Sequence, residues 1–467
     1  FRPYQEEGVQ WLARLRSMGL NGILADDMGL GKTLQAISAI TQYNEMRKGD
    51  DEPPLTLIVC PTSLVDNWKE EFNQFQPKLK VATCVGTPQE RKKLISTASK
   101  YDVLVTSYGL VQKDIELYEQ IPLGYLILDE AQHIKNRETR NARSVKKIPA
   151  RHKLILTGTP LENSLEDLWS LFDFLIPGIL GSFDRFVNNY IRQSGRDLTQ
   201  ILHTPRKKVA PFVLRRMKCD VLKDLPPISH IAYHCHLSPV QQELYYSYVK
   251  SAKEQLVKLV EKEGFDKVRL QVLATLTRLK QICCHPAIFA KENAEVSDSE
   301  TDATLPGLLS SLTEGKPQTV LFSQYTKMLA IMKQDLQKMG AKFAYLDGSS
   351  KNRLNIVKQF NEDPETSIFL VSLKVGGTGL NLVGADTVIH YDMWWNPAVE
   401  NQATDRVWRM GQKQAVSSYK LITLGTIEEK IVSMQERKKE LLKEIVRTDE
   451  EVISKLTWDE VLELLKI

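Results

Sequence analysis

The 467-residue chain lacks the features that would place it among membrane or disulfide-rich proteins. No apolar run approaches the ~20 residues of a transmembrane helix, and the first residues carry no signal-peptide pattern. We therefore expect the chain to work inside the cell, with no membrane partner. Six cysteines are too few for a disulfide framework in a chain this long. Neither Cys283–His285 nor His234–His236 has the Cys-x-x-Cys spacing of a zinc site, which favours packing roles for these residues.

The chain also lacks a strong excess of charge of one sign. Its 62 basic and 58 acidic residues leave a formal net charge of +4. This balance neither requires nor excludes a basic groove, because charges that cancel over the whole chain still cluster locally. A chain of 467 residues is too long for one ordinary core, so we expect two domains. Because it begins with Phe1 rather than Met, we expect a fragment of a longer protein.

Short β-branched runs alternate with longer amphipathic stretches. This pattern predicts an α/β fold with parallel sheets flanked by helices. Polar or small residues follow the runs of the first half, where such sheets bind their ligands. The predicted strands are Leu55–Cys60, Val103–Ser107, Tyr125–Leu128, Leu154–Thr157, Thr319–Phe322, Phe343–Leu346, Ile368–Val371, Thr387–Tyr391 and Ser417–Ile422.

Four parts are expected along the chain. The first lobe covers 1–225, with a helical insertion at about 165–210. A helical protrusion with two long helices, followed by an acidic, Ser/Thr-rich flexible linker, covers 226–306. The second lobe covers 307–425, and a C-terminal helical brace covers 426–467. The long helices, Gln241–Lys262 and Val268–Ile282, either pack onto the lobes or grip a partner.

A glycine-rich loop, Asp26–Thr33, carries the clearest chemical signal of the first half. Its glycines let backbone N–H groups close on phosphate oxygens, and the following helix adds a favourable potential. Lys32 would contact the β- and γ-phosphates, and the Thr33 hydroxyl would hold Mg²⁺. Asp26 stands where the strict pattern has glycine, so an ordinary helix-entry turn is the alternative. The predicted nucleotide-binding residues are Asp27, Met28, Gly29, Leu30, Gly31, Lys32 and Thr33.

Paired carboxylates follow the predicted strand Tyr125–Leu128. Asp129 is placed to hold Mg²⁺, directly or through water. Glu130 is the candidate base that orients the attacking water. Acid pairs are also common in solvated loops, but their combination with a phosphate loop favours a nucleotide site.

Arg406 and Arg409 are three residues apart, so on a helix they would share a face. Guanidinium groups suit the charge that develops on a transferred phosphoryl group. We therefore expect one nucleotide held between two lobes, with the arginines supplied by the second. The alternative is a pair of surface ion pairs with Glu400 and Asp405.

In chain order, these segments closely resemble the motif series of the Swi/Snf-type ATPases, part of the superfamily 2 helicase-like DNA translocases. The resemblance covers nearly the whole chain. Gln132 stands where many members carry His, which indicates a prokaryotic member; because Gln also donates and accepts hydrogen bonds, we expect hydrolysis to be retained. The segments that carry the resemblance are Phe1–Gln5, Gly8–Leu12, Asp26–Thr33, Cys60–Leu64, Thr106–Tyr108, Asp129–Asn136, Leu156–Asn163, Leu321–Tyr325, Leu346–Ser349, Gly376–Leu382, Asp392–Pro397 and Gln402–Gln412.

The resemblance implies two RecA-like lobes with helical insertions, which hydrolyse ATP with Mg²⁺ while tracking along double-stranded DNA. It assigns adenine recognition to Gln5 and arginine-finger roles to Arg406 and Arg409. It further implies Gln402 at the catalytic centre and Gly379 at the nucleotide.

A duplex-tracking motor should contact phosphates rather than bases, because it must be indifferent to sequence. The resemblance implies that Thr157–Thr159 couples the γ-phosphate state to the DNA-facing surface. A basic cluster, 206–218, is either a solvated face or a second duplex contact. Trp394 and Trp395 are expected in the core or at a hinge. The DNA contacts implied are Thr62, Ser63, Asn67, Trp68, Thr106, Ser107 and Tyr108 in the first lobe, and Ser323, Gln324, Ser372, Lys374 and Thr378 in the second.

The sequence thus predicts an ATP-dependent double-stranded DNA translocase that remodels or displaces DNA-bound proteins and acts as a monomer on DNA. The alternatives are an ATP-gated DNA clamp without movement and a strand-separating helicase. The expected location is the cytoplasmic nucleoid in a prokaryote or the nucleus in a eukaryote.

Overall fold

The computed structural model describes residues 1–46, 53–158, 165–191, 205, 207–289, 318–350, 352–373, 379–437 and 456–466. Its contacts divide the chain into two units, Phe1–Asp224 and Leu225–Ile467. Each unit is built on a parallel sheet flanked by helices, so the predicted α/β fold class with two sheet-containing lobes is confirmed. Among the described residues, no helix combines the length and the apolar character needed to span a bilayer.

The sheet of the first unit has seven parallel strands in the order β3-β4-β2-β5-β6-β1-β7. Its central strands are buried on both faces, as their continuous apolar runs predict. One hydrophobic cluster covers each face. The strands are β1 (Gly22–Leu24), β2 (Thr56–Cys60), β3 (Val81–Thr83), β4 (Val103–Ser107), β5 (Leu123–Asp129), β6 (Ala150–Leu156) and β7 (Val213–Leu214).

The helices of the first unit connect these strands and cover both faces of the sheet. The first helix begins with proline at its first position, and the Gln5 side chain accepts a hydrogen bond from the Arg2 N–H at 3.0 Å, which caps this end. The helices are α1 (Pro3–Ser17), α2 (Lys32–Met46), α3 (Val65–Phe75), α4 (Pro88–Ser96), α5 (Tyr108–Lys113), α6 (Ile115–Tyr118), α7 (Arg140–Lys147), α8 (Leu165–Leu175), α9 (Phe183–Phe186) and α10 (Lys218–Val221).

The sheet of the second unit has six parallel strands in the order β10-β11-β9-β12-β13-β8. The strands are β8 (Ile228–Cys235), β9 (Thr319–Ser323), β10 (Phe343–Leu346), β11 (Ile368–Ser372), β12 (Thr387–His390) and β13 (Val416–Thr423). The helices are α11 (Pro239–Glu263), α12 (Phe265–Cys284), α13 (Pro286–Phe289), α14 (Thr326–Lys338), α15 (Arg353–Glu362), α16 (Pro397–Thr404), α17 (Ile427–Arg437) and α18 (Trp458–Leu464).

The prediction of a helical segment over 226–306 is wrong for its first part. β8 pairs with β13 along its whole length and forms the edge of the second sheet. It was missed because an edge strand needs no continuous apolar run: Ser229, His230, Tyr233 and His234 are exposed.

The two long helices of this segment, α11 and α12, form as predicted and pack against each other and against α17. Their shared core includes Cys283, which lies in α12. Trp395 is also buried in this core, so its predicted core position is confirmed. The C-terminal helices α17 and α18 pack on this same unit, and a brace between the lobes stays a prediction.

Candidate active site

The phosphate loop lies between the end of β1 and the start of α2. Gly29 and Gly31 have φ angles of 83° and 75°, a left-handed conformation that residues with a Cβ rarely adopt. Lys32 is the first residue of α2, and its ammonium donates to the carbonyl oxygens of Asp26 at 2.6 Å and Asp27 at 3.1 Å. The loop therefore folds around the lysine charge that was predicted to contact phosphate.

Gln5 contacts this loop from α1. Its side-chain amide donates to the carbonyl of Leu30 at 3.2 Å, and only 3% of the residue is exposed. Gly158 approaches the loop from the end of β6: a Cβ there would lie 2.7 Å from the Met28 side chain and 3.5 Å from the Lys32 ammonium. Adenine recognition by Gln5 and coupling by Thr157 and Gly158 stay predictions, and Thr159 lies outside the described residues.

Asp129 is the last residue of β5, and two neighbouring segments hold it in place. The Trp68 indole donates to its carboxylate at 2.9 Å, and the Tyr108 hydroxyl donates to its backbone carbonyl at 2.8 Å. Burial raises the pKa of the Asp129 carboxyl, and the adjacent Glu130 carboxylate raises it further. The Trp68 hydrogen bond and the Lys32 ammonium oppose this rise. Two adjacent carboxyl groups at a strand end offer oxygen donors of the kind that Mg²⁺ prefers.

Glu130 occupies the left-handed region, with φ of 49° and ψ of 56°. This conformation costs a non-glycine residue about 1–2 kcal/mol. The Gln132 amide donates to Glu130 Oε2 at 2.9 Å, so the residue that departs from the family pattern orients the candidate base. The sequence predicted only that Gln132 would retain hydrogen bonding.

In the second unit, Arg406 and Arg409 do not lie on a helix. The prediction of a shared helical face is wrong because α16 ends at Thr404. Beyond this point the spans of the backbone bonds are mixed: Arg406 N bonds Ala403 O, three residues back, and Arg409 N bonds Val407 O, two residues back. The Arg406 carbonyl accepts from Leu382 N at 2.9 Å. The Arg409 guanidinium donates to the carbonyl of Leu380 at 3.2 Å.

These bonds bring the two arginines next to the segment that begins with Gly379, another predicted site residue. Arg406 is 8% exposed, and Gln402 is half-buried on α16. Glu400, one alternative partner of the arginines, pairs instead with Lys420 at 2.5 Å. Binding of nucleotide by Arg406, Arg409, Gln402 and Gly379 stays a prediction.

Six of the twelve side chains predicted to contact DNA are buried in their own unit. Trp68 is 2% exposed because its ring packs in the core and its N–H bonds Asp129. Thr106 is fully buried, and its hydroxyl donates to the carbonyl of Cys84 at 3.0 Å. Ser323 donates to the buried Asp392 carboxylate. The side chains in the buried set are therefore held by their own unit, and their contact with DNA stays a prediction; the set is Trp68, Thr106, Ser107, Tyr108, Ser323 and Ser372.

Four other predicted DNA contacts are at least partly accessible. Thr62 is exposed, and Ser63, Asn67 and Gln324 are half-buried, so they stay candidates. Lys374 and Thr378 lie outside the described residues.

The basic cluster 206–218 does not form one surface. Lys207 and Lys208 are exposed, whereas Arg216 pairs with Asp26 and Lys218 is 4% exposed. Arg206 lies outside the described residues.

Exposed arginines that the sequence interpretation missed lie on α7. Arg140 and Arg143 are exposed, and within the described part of the chain neither makes an ion pair. α7 packs against α5, where the Gln112 amide contacts the Asn141 side chain. The signal available in the sequence was the spacing of the two arginines, three residues apart on a helix that ends in two lysines.

Comparison with known proteins identifies the family. The model of the SNF2-related domain matches residues 4–288, and that of the helicase conserved C-terminal domain matches residues 301–411. The chain belongs to the SNF2-related family, as the motif series predicted.

Among its relatives, Bacillus subtilis YwqA is 40% identical, and the alignment covers 100% of this chain and 51% of YwqA. The TATA-binding protein-associated factor MOT1 of Saccharomyces cerevisiae is 36% identical over 99% of this chain and 28% of its own length. The Sulfolobus solfataricus SWI2/SNF2 ATPase core in complex with dsDNA is 32% identical, covers 99% of this chain and 96% of that chain, and gives a TM-score of 0.48. Bacterial relatives at 37–40% identity support the expected prokaryotic member. The chain thus spans only about a quarter to half the length of these curated relatives.

Proposed function

We propose that this chain is an ATP-dependent double-stranded DNA translocase that moves or displaces proteins bound to DNA. The observation that carries the proposal is the site in the first unit. The Lys32 ammonium follows β1, and the partly buried Asp129 and the oriented Glu130 lie at the end of β5, which only β6 separates from β1. Membership of the SNF2-related family supports it, and relatives include an uncharacterized ATP-dependent helicase, MG018, and the TATA-binding protein-associated factor MOT1.

In this proposal the loop holds the triphosphate through its backbone N–H groups and Lys32. Thr33 and Asp129 would supply oxygen donors for Mg²⁺, which would neutralise phosphate charge when bound. Glu130, held by Gln132, orients the attacking water, and Arg406 and Arg409 stabilise the charge that develops on the γ-phosphate.

For the duplex, we propose contacts through the accessible hydroxyls and amides of Thr62, Ser63, Asn67 and Gln324, together with the arginines of α7. Such contacts hold phosphates without reading bases, as tracking requires. Removing Arg140 and Arg143 together should make the slope of log affinity against log salt concentration less steep, by the amount that corresponds to about two phosphate contacts. An unchanged slope would remove α7 from the proposed surface.

ATP turnover measured with and without duplex DNA tests the function. We expect turnover that rises with duplex DNA and that Lys32→Ala abolishes. Turnover that ignores DNA would contradict the proposal.

Two alternatives remain distinguishable by assay. Displacement of a triplex-forming strand separates a translocase from an ATP-gated clamp, which would bind without displacing it. Release of a fluorescent strand from a plain duplex would identify a strand-separating helicase instead.

A further inference from the structure

Arg216 lies two residues after β7 and reaches into the base of the phosphate loop. Its Nε donates to Asp26 Oδ1 at 2.9 Å, and its Nη2 donates to Asp26 Oδ2 at 2.5 Å. Nη2 also donates to Gln35 Oε1 on α2 at 2.9 Å, and Nη1 donates to the backbone carbonyl of Tyr4 on α1. One guanidinium group therefore joins the loop to the two helices that flank it.

The backbone around Arg216 supports the same loop. Asp27 N donates to the Arg216 carbonyl at 3.0 Å, and Ala25 N donates to the Leu214 carbonyl at 2.7 Å. Lys218 N in turn donates to the Asp27 carboxylate at 3.1 Å. The first half of the loop is thus bonded along its length to a segment that is distant in sequence.

Because the ion pair between Arg216 and Asp26 is buried, loss of either partner is expected to be costly. Asp26 is fully buried, and the Arg216 side chain is 11% exposed. A bidentate pair of this kind fixes orientation as well as charge, and removing one partner leaves the other buried and uncompensated. A Cβ at Gly8 would lie 2.0 Å from Gln35 Oε1 and 2.8 Å from Arg216 Nη2, so α1 packs directly on the pair.

Asp26 links Arg216 directly to Lys32, the residue proposed to contact phosphate. The side chain of Asp26 is held by Arg216, while its backbone carbonyl accepts from the Lys32 ammonium at 2.6 Å. We propose that Arg216 is a positioning residue of the nucleotide site: it fixes Asp26, and through Asp26 it fixes the loop and Lys32 for phosphate. This assignment explains why an aspartate stands where the strict loop pattern has glycine, and it rests on the proposed ATPase function.

The test compares Arg216→Lys with Arg91→Lys. Arg91 is a matched control because it makes a second buried bidentate pair in the same unit, with Asp114 at 2.5 and 3.0 Å. It lies near the edge strand β3, whereas Arg216 follows β7 at the other edge of the sheet. Both variants keep the positive charge and lose the fork geometry, so both report the cost of a weakened buried pair. Only Arg216→Lys weakens a contact to the phosphate loop.

The affinity for a fluorescent ATP analogue with Mg²⁺, corrected for the binding-competent fraction, is measured without DNA, together with KM and kcat. We expect Arg216→Lys to weaken nucleotide affinity and raise KM by about tenfold to a hundredfold, the value of a hydrogen bond to a charged group. Arg91→Lys should lower the melting temperature but leave the affinity of each folded molecule unchanged. A purely structural role for Arg216 would give that same pattern.

Asp26→Asn tests the contact from the loop side. If Arg216→Lys does not fold, this variant alone tests whether the pair positions the nucleotide site. Asn keeps one acceptor for Arg216 but loses the charge, so we expect weaker ATP binding here too. Unchanged affinity per folded molecule in whichever variant folds would overturn the proposal. If the unmodified chain itself hydrolyses no ATP, the proposed function fails instead, and the two failures are thereby distinguished.

Discussion

Glu428 in α17 makes the stability of the second unit depend on pH. The residue is 2% exposed, and its carboxylate accepts a hydrogen bond from Thr423 N at 3.0 Å. Burial, with a smaller contribution from the Asp392 carboxylate, raises the pKa of Glu428 from 4.5 to about 7, against the opposing effects of Thr423 and Lys280. Other groups near Glu428 whose pKa burial raises, so that they stay neutral at physiological pH, are Cys235, Tyr245, Cys283, Cys284 and Tyr391.

Because the pKa is higher in the folded state, the folded protein binds more protons than the unfolded chain between pH 4.5 and about 7. The free energy of unfolding therefore falls as pH rises through this window. The contribution of Glu428 to the free energy of unfolding is fully present below the lower pKa and is lost above the upper one. This difference in pKa corresponds to about 3 kcal/mol. Asp392, whose pKa burial raises to about 6, adds a loss of the same sign.

The perturbation is Glu428→Gln, which keeps an acceptor for Thr423 and removes the charge. Hydrogen exchange of peptides from β13 and α17, followed by mass spectrometry, reports this unit separately from the first. Comparing both proteins at the same pH cancels the intrinsic pH dependence of exchange. At pH 8 we expect exchange through local opening to be slower in the variant by on the order of 100-fold. At pH 5 the two should be nearly equal.

Glu429→Gln is the control, because this neighbouring carboxylate is exposed. It should leave the pH dependence of exchange as it is in the unmodified chain. A difference between Glu428→Gln and the unmodified chain that stays constant from pH 5 to pH 8 would refute the reasoning from burial.

Four substitutions at the candidate site have distinct expected effects. Lys32→Ala should weaken binding of a fluorescent ATP analogue, because the loop loses its only predicted phosphate-contacting charge; unchanged affinity would rule out this contact. Glu130→Gln should retain that binding but lower kcat by about a hundredfold or more, and a normal kcat would assign the base elsewhere. Gln132→Leu should lower kcat with little change in ATP affinity, because Glu130 loses the hydrogen bond that orients it; a change confined to affinity would contradict this. Arg406→Ala should leave ATP binding intact and lower kcat by about a thousandfold, whereas normal turnover would show that Arg406 is no finger.

Much of the fold could be predicted because central parallel strands are buried on both faces. Ile368–Val371 and Val103–Ser107 are continuous apolar or β-branched runs, and both are strands in the structure. The strands that were missed lack this signal. β1, β3 and β7 are only two or three residues long, and β8 is an exposed edge strand. Their pairing depends on partners distant in the chain.

The site was predictable where its chemistry is local in sequence. The phosphate loop and the acid pair Asp129–Glu130 are short segments whose glycines, lysine and carboxylates have direct chemical roles. The pair between Asp26 and Arg216 joins residues 190 positions apart, so no local pattern indicates it. Just beyond the end of α16, the Arg406 carbonyl likewise bonds Leu382, a residue that the local pattern does not indicate as its partner.

The buried residues of the family motifs are better explained as supports than as ligand contacts. Trp68 is only 2% exposed and bonds Asp129, and the preceding residue, Asn67, is accessible on α3. Tyr108, at the start of α5, bonds the Asp129 backbone in the same way. The proposed DNA-facing surface of the first unit is therefore joined to a candidate magnesium ligand through single, partly buried hydrogen bonds. Such contiguous contact is the physical requirement for coupling between two sites, and DNA-stimulated turnover is the measurement that reports whether the coupling operates.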